Sequence, residues 1–374
     1  MPQCNALSNH MCVTVANSWR PCCRFNTYLH VDTHDTSFFE YKASDFYQKI
    51  INDMTLGWAA GCRKCQSEEQ RGQRSLRQKL NKELSGTTDI EYIEISLSNN
   101  CNLACKMCSP TYSTTWARLL SDNPKLLHSL QRIRPEYHQL DTTDVISVDH
   151  IFTGLNLSKL KKIKYLGGEP FVTPEIKTLF EYLIDNRIIQ NIEFECNTNC
   201  TLFPNKWLKY LDQFKKVSIE LSIDGVGPVN DFVRWGKSTW DDILPNIHRW
   251  AVTDYNINIF STVQAYNLHD MQNVKALADS IEVQHYSSLL VVPEYLSVHV
   301  LPEAYLAAIY DDYNKKYYPS IKPNDQIDKF KEFTYNIDNV TGLKLSDVIP
   351  VLHQHMENYF DLRTFGARHQ HMEN

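Results

Sequence analysis

No run of about 18 apolar residues occurs in this sequence, so no segment is long enough to cross a membrane as a helix. The opening residues, Met-Pro-Gln-Cys-Asn, lack the basic stretch and apolar core of a secretory leader. Positive charge is not in excess either. The net charge of −6 argues against wholesale nucleic-acid binding, although a local basic patch stays open. Nor is there a strong compositional bias. With 43% hydrophobic and 22% charged residues, the chain is not disordered, collagen-like or a long coiled coil. These absences lead to the expectation of a cytoplasmic protein without a membrane or nucleic-acid partner. Its 374 residues suggest more than one domain.

Cysteine is also missing after Cys200, which makes its density before that point informative. Of eleven cysteines, Cys4, Cys12, Cys22, Cys23, Cys62 and Cys65 lie at the start. Cys101, Cys105 and Cys108 follow as a group, and then come Cys196 and Cys200. In a reducing compartment such clustering points to metal or redox chemistry before disulfides, and the odd count agrees.

From about residue 90 to 300, β-rich runs alternate with helix-like stretches. The runs are 91–97, 163–166, 191–196, 217–223, 257–263 and 287–292. The helical stretches are 111–130, 174–186, 204–214, 239–250, 268–281 and 302–317. Six such units predict an α/β fold with a parallel sheet, fewer than the eight of a closed barrel. Residues 1–66 read as a separate cysteine-rich unit with hairpin character, and 67–89 as a polar, helical connector. After 320 the pattern is helical, with a turn at Asn339-Val-Thr-Gly342. The expected division is therefore 1–89, 90–320 and 321–374. His-Gln-His-Met-Glu-Asn occurs at 353–358 and again at 369–374, and reads as a duplicated tail rather than a metal site.

The segment Ser98-Asn-Asn-Cys101-Asn-Leu-Ala-Cys105-Lys-Met-Cys108 lies between a β-rich run and a helix. Three thiolates on one tight loop can hold three irons of a cubane, leaving the fourth iron open to a small molecule. Structural zinc would need a fourth ligand, and the next histidine, His128, falls within a helical pattern.

This Cys-x3-Cys-x2-Cys loop resembles the signature of radical S-adenosylmethionine (SAM) enzymes. The resemblance implies a partial (β/α)6 TIM-like barrel and a [4Fe–4S] cluster on Cys101, Cys105 and Cys108 as the catalytic centre. The open iron would then be chelated by the amino and carboxylate groups of SAM. Met107 stands where the family often has an aromatic beside the adenine. Gly167-Gly168-Glu169-Pro170 is similar to the family motif that binds the SAM amino group. Two glycines at a strand end let backbone approach a ligand, and a carboxylate accepts from an ammonium. Thr198-Asn199-Cys200 is similar to a Thr-Asn-Gly strand end, with Cys200 in the glycine place. Ser222-Ile-Asp224-Gly225, followed by Asn230-Asp231-x2-Arg234, resembles the segment that meets the ribose and carboxylate of SAM. An always-charged arginine suits that carboxylate. Each motif falls at the C-terminal end of a strand, where parallel α/β folds place ligands.

The early cysteines resemble a Twitch or SPASM type of auxiliary module. On that resemblance Cys4, Cys22, Cys62 and Cys65 are four metal ligands of a second, fully protein-ligated [4Fe–4S] cluster. Tetrahedral zinc is the competing occupant, and Cys12 or Cys23 could replace an assigned ligand. Asn17 occupies a glycine place in the hairpin turn, which an asparagine tolerates. The following Glu69, Gly72, Ser75 and Arg77 resemble cysteine-first relatives. Residues 63–82, with seven basic and two acidic side chains, read as a solvated helix face.

The resemblance implies an enzyme that cleaves SAM reductively to a 5′-deoxyadenosyl radical and removes hydrogen from a substrate. The electron would come from a donor such as flavodoxin or ferredoxin. A peptide or protein substrate is expected, with a small molecule or nucleotide as the alternative. A non-catalytic iron–sulfur or zinc-binding interaction protein is the rival from another class. A rival of that kind has no use for the Gly-Gly-Glu-Pro and Ser-x-Asp-Gly elements.

Overall fold

The computed structural model describes residues 2–15, 17–25, 36–134, 137, 147–319 and 321–357. The second His-Gln-His-Met-Glu-Asn copy lies outside them. Eight strands form one sheet: β1 (His10–Val13), β2 (Trp19–Arg20), β3 (Tyr92–Ile95), β4 (Lys162–Tyr165), β5 (Glu193–Thr198), β6 (Lys216–Ser222), β7 (Asn256–Val263) and β8 (Gln284–Leu289). Their order is β2-β1-β3-β4-β5-β6-β7-β8, and only the β1–β2 pair is antiparallel. The α/β fold with a mostly parallel sheet stands as expected and is consistent with a partial TIM barrel.

Alternation along the strands sorts the two faces, since successive side chains of a strand point to opposite sides. On β5 Phe194, Cys196 and Thr198 are buried while Glu193, Glu195 and Asn197 are half-buried. β6 repeats this with Val217, Ile219 and Leu221 buried. The apolar face packs beneath the helices Glu175–Asp185, Trp240–Ala251 and Met271–Ser280, through residues such as Leu179, Phe180, Ile247, Trp250 and Val274. Each large apolar side chain so buried contributes about 1.5–3 kcal/mol. Phe180 is central: its ring meets Phe194, Trp207 and Phe214, so Phe180→Ala should cost about 3–5 kcal/mol.

Two expectations about organisation change. The N-terminal unit is not separate from the barrel, because β1 pairs in parallel with β3 along its whole length (His10 with Tyr92, Val13 with Ile95). The unpaired edge of β3 would otherwise expose backbone donors and acceptors, and β1 satisfies them. The 321 boundary is likewise not a break in packing. Phe330, Phe333 and Ile337 of the helix Ile327–Thr341 belong to the main core, and Tyr266 Oη lies 2.6 Å from Thr334 Oγ1. That helix ends at Gly342 with φ +75°, the turn expected there. The stretch expected as one helix over 111–130 is two, Thr114–Asp122 and Pro124–Ile133. The break falls before Pro124, whose ring disfavours helical backbone at Asn123. Of the stretch 204–214 only Leu208–Leu211 is α-helical. Among the described residues no helix is long and apolar enough to cross a membrane.

Candidate active site

Cys101, Cys105 and Cys108 sit on the loop that follows β3. That loop is pinned on both sides. Ala104 and Lys106 donate their N–H groups to the carbonyls of Trp235 and Val233 (2.7 and 2.9 Å), and Leu103 bridges to Gly236. On the helix side Thr114 Oγ1 accepts from Cys101 N–H, Thr115 Oγ1 donates to Cys101 O, and Trp116 Nε1 donates to Cys105 O. All three thiols are pushed up by burial, Cys105 to about 12, with the Arg234 charge pulling it back. Thiols held protonated in this way are poor free nucleophiles, and a metal that bound them would have to displace their protons. Donors already surround them. Arg234 Nη1 lies 3.8 Å from Cys105 Sγ, and Asn199 Nδ2 lies 4.0 Å from Cys101 Sγ.

Gly167 and Gly168 follow β4 with φ of +81° and +47°. A Cβ at Gly168 would meet Asn100 O at 2.3 Å, and one at Gly167 would meet the Val15 side chain at 2.4 Å. Glycine is thus required by contact with the cysteine loop itself, which packs the two motifs together. Glu169 N–H donates to the same Asn100 carbonyl at 2.8 Å. The Glu169 carboxylate is buried and accepts from Thr198 Oγ1 (2.8 Å) and Asn199 N–H (2.7 Å). Burial nevertheless raises it to about 7. A buried carboxylate that is costly to ionise gains from an ammonium partner.

Thr198 and Asn199 therefore serve the Glu169 carboxylate directly. Cys200 has φ +62°, so it does occupy a glycine-type backbone position, and it is buried. Ser222 is half-buried at the C-terminal end of β6. Asp224 is fully buried, ion-pairs with Arg234 Nε at 2.7 Å and accepts from Thr262 N–H at 2.7 Å. Asp224 thus holds the Arg234 guanidinium within the segment that the sequence resemblance assigned to the cofactor. Met107 is half-buried against the core, and His128 is exposed.

Lys106 was missed in the sequence. Although it is a lysine between two loop cysteines, its side chain is almost wholly buried. Its Nζ lies 3.8 Å from the Phe232 ring centroid and 3.7 Å from Asp338 Oδ1, and burial lowers its pKa to about 8. It ties the cysteine loop to the C-terminal helix, and no local pattern advertises such a contact.

Four of the N-terminal cysteines share a pocket. One small pocket is lined by Cys4, Cys22, Cys62 and Cys65 together with Phe25, Trp58 and Arg77. Burial raises Cys22 and Cys62 to about 12, and the neighbouring thiols push in the same direction. Asn17 has φ +47°, as its turn requires. Cys12 and Cys23 do not line the pocket, and both face the carboxylate of Glu94. Arg77 grips Glu69 through two nitrogens (2.9 and 2.7 Å) and donates to Gln3 O, which ties the Cys4 segment to the Cys62–Cys65 segment. Ser75 Oγ donates to the same Glu69 at 2.5 Å. Arg77 is thus a brace, while Arg63, Lys64, Arg71, Arg74, Lys79 and Lys82 are exposed, in keeping with a solvated face. Among the described residues no three His, Cys, Asp or Glu side chains are drawn together tightly enough to cage a single metal ion. The occupants are therefore read from the chemistry of the donors.

A three-thiol loop, a glycine-cradled buried carboxylate and an arginine paired with Asp224 are donor types that suit an iron–sulfur cluster with an amino acid-like ligand. Residues 95–281, half of the chain, match the family model of the Radical SAM superfamily, and the chain belongs to that superfamily. It is an enzyme family that uses a [4Fe–4S] cluster and SAM. The chain is 26% identical over 202 residues to Molybdenum cofactor biosynthesis protein 1 of Dictyostelium discoideum, covering 53% of this chain and 27% of that protein. It is 25% identical over 206 residues to a GTP 3′,8-cyclase of Desulforamulus reducens, covering 52% and 54%. The chain thus spans about half or less of the length of these curated relatives. The solved structure of Streptococcus suis SuiB bound to S-adenosylmethionine is similar with a TM-score of 0.35 and 15% identity, over 82% of this chain and 59% of that one.

Proposed function

We propose that this chain is a two-cluster radical SAM enzyme that oxidises a peptide or protein substrate on the polar face of its sheet. When bound, the first cluster and SAM supply a 5′-deoxyadenosyl radical that removes a hydrogen atom from the substrate. Cys101, Cys105 and Cys108 hold that cluster and leave one iron to SAM. Glu169 receives the SAM ammonium, with Thr198 and Asn199 fixing its two oxygens. Arg234, held by Asp224, presents its guanidinium to the SAM carboxylate. Gly167 and Gly168 keep the backbone close enough for these groups to converge, and Ser222 and Met107 lie at the ribose and adenine. Cys4, Cys22, Cys62 and Cys65 would hold a second cluster, which would supply one-electron redox chemistry there.

The substrate class rests on the charge of the polar face. Glu94, Glu195 and Glu220 stand against Lys162 and Lys164, and both lysines are already ion-paired: Lys162 with Glu195, Lys164 with Glu195 at 2.9 Å and Glu220 at 3.4 Å. Those pairs hold Glu195 at about 2. A face with its ammoniums engaged and carboxylate in surplus suits neutral or cationic groups better than a triphosphate. The nucleotide reading draws on relatives named GTP 3′,8-cyclase. The deciding experiment is anaerobic reconstitution, then product profiling against GTP and against peptides encoded beside the gene. Conversion of GTP without conversion of any peptide would overturn the peptide assignment. Absence of 5′-deoxyadenosine under strong reductant would overturn the whole reading.

A further inference from the structure

The sheet ends in two edge strands of different character. An open edge presents a row of unpaired N–H and C=O groups, and proteins blunt it with shortness, charge or proline. β2 is blunted in all three ways: it has two residues, it ends at Arg20, and Pro21 follows. β8 is not. It runs for six residues, Gln-His-Tyr-Ser-Ser-Leu, without lysine, arginine, aspartate, glutamate or proline. Leu290, Val291 and Val292 follow before Pro293, and both valines are exposed. Leu290 N–H donates to Val263 O at 2.8 Å, which fixes the direction of each amide in β8. Backbone groups alternate along a strand, so those of Ser288, Tyr286 and Gln284 face β7 while those of Leu289, Ser287 and His285 turn outward. Among the described residues no backbone group pairs with that outer side. The side chains of His285 and Ser287 are engaged elsewhere, with Ser261 Oγ at 2.9 Å and Tyr318 Oη at 3.0 Å. The alternate side chains belong to the polar face. Gln284 lies in one cross-strand row with Asn258, Glu220 and Asn197, and Tyr286 in one with Phe260 and Ser222. That face therefore runs unbroken to the open edge, where Tyr286 is 53% exposed.

We propose that the outer edge of β8 is the docking strand for an extended segment of the substrate peptide, which adds to the sheet as a further strand. The proposal rests on the peptide reading of the substrate. Extended backbone offers donors and acceptors at the spacing that His285, Ser287 and Leu289 present, whereas a nucleotide has no row of amides to match it. Pairing of this kind takes its affinity from the main chain and its selectivity from alternate side chains. Every second side chain of the added strand falls in the rows of Gln284, Tyr286 and Ser288, and so continues the polar face. The strand itself carries no formal charge, so it sets no charge requirement on the segment that binds it.

The test uses the full-length, cluster-reconstituted protein and a synthetic probe, the end-capped peptide Val-Lys-Val-Ser-Val-Lys-Val. In the free protein the outward amides of the segment 284–292 should exchange fast with deuterium. The probe at about ten times its dissociation constant should slow them roughly tenfold. Ser287→Pro removes an outward N–H and puts a ring on the edge, while every bond to β7 stays in place. It should abolish the protection with iron content and melting temperature close to those of the wild type. Ser287→Ala loses the same hydroxyl but keeps the N–H, and should retain the protection. With any peptide that product profiling shows to be converted, Ser287→Pro should raise KM roughly tenfold or more and leave kcat unchanged. Slow exchange of the outward amides in the free wild type, or protection that survives Ser287→Pro, would overturn the docking assignment. A dimer seen by sedimentation that Ser287→Pro dissociates would also overturn it, since the edge would then pair two copies of the chain. Protection lost in Ser287→Pro, together with a wild type that converts GTP and no peptide, would instead overturn the peptide reading beneath the proposal.

Discussion

The two cysteine centres of this molecule are assembled in opposite ways. The active-site loop takes its three thiols from eight consecutive residues, so its ligands are close whatever the rest of the chain does. The N-terminal pocket draws its four from three separate segments, around residues 4, 22 and 62–65, and depends on the Arg77–Glu69 brace to bring the first to the last. A local site can be read from spacing. A dispersed one is named from the sequence only through resemblance to a family, is assembled only when the chain folds, and should fail when the fold is loosened.

Breaking the local site carries the largest expected effect. Cys105→Ala should abolish 5′-deoxyadenosine formation, measured by chromatography after reduction, because a three-thiol site has no spare ligand. Breaking the dispersed site comes next. Cys62→Ala with Cys65→Ala should lower iron from about eight to about four per chain while SAM cleavage survives, given four irons per cubane. If the wild-type protein instead holds about four irons and one zinc, the second centre is structural.

The SAM pocket should respond more moderately. Glu169→Gln should weaken SAM binding roughly tenfold or more with iron content unchanged, the loss of one charge-assisted hydrogen bond. The same carboxylate sets a pH dependence. Its native value, about 7, lies above the ordinary value of 4.5 because of burial. In the free protein its contribution to stability is therefore present below about 4.5 and is lost as pH rises through about 7. SAM binding runs the other way, since the ammonium needs an ionised partner. Affinity measured by titration calorimetry should rise between pH 6 and 8 and flatten in Glu169→Gln (about one unit either side of the native value).

The smallest effect sharpens the comparison of the two centres. Cys12→Ser and Cys23→Ser should leave iron content intact, because both thiols face Glu94 and not the four-cysteine pocket. Loss of about four irons in either variant would mean that the pocket has exchanged a ligand.

Much of the site was legible because its motifs are short and each ends a strand. Cys101–Cys108, Gly167–Glu169 and Thr198–Asn199 fall where alternation predicted strand ends, and the sheet order brings those ends side by side, while Arg234 follows the short helix Pro228–Val233. The helix over Glu175–Asp185 was equally plain from its 3.6-residue pattern, whereas the break at Asn123–Pro124 was overlooked in a longer apolar periodicity. What could not be read is what depends on partners far along the chain. The pairing of β1 with β3 joins residues about eighty apart. The burial of Lys106 against Phe232 and Asp338 is decided by a helix more than two hundred residues away. The attachment of Asp224 to Arg234 follows from how the chain after β6 folds back.

Periodicity, turn chemistry and ligand spacing are local properties, carried in a window of a few residues, and they were enough for the α/β class, the strand ends and the three-thiol loop. Burial and the pairing of charges are properties of the closed chain. They are set by which distant side chains exclude water from one another, and only the packed tertiary structure contains that information.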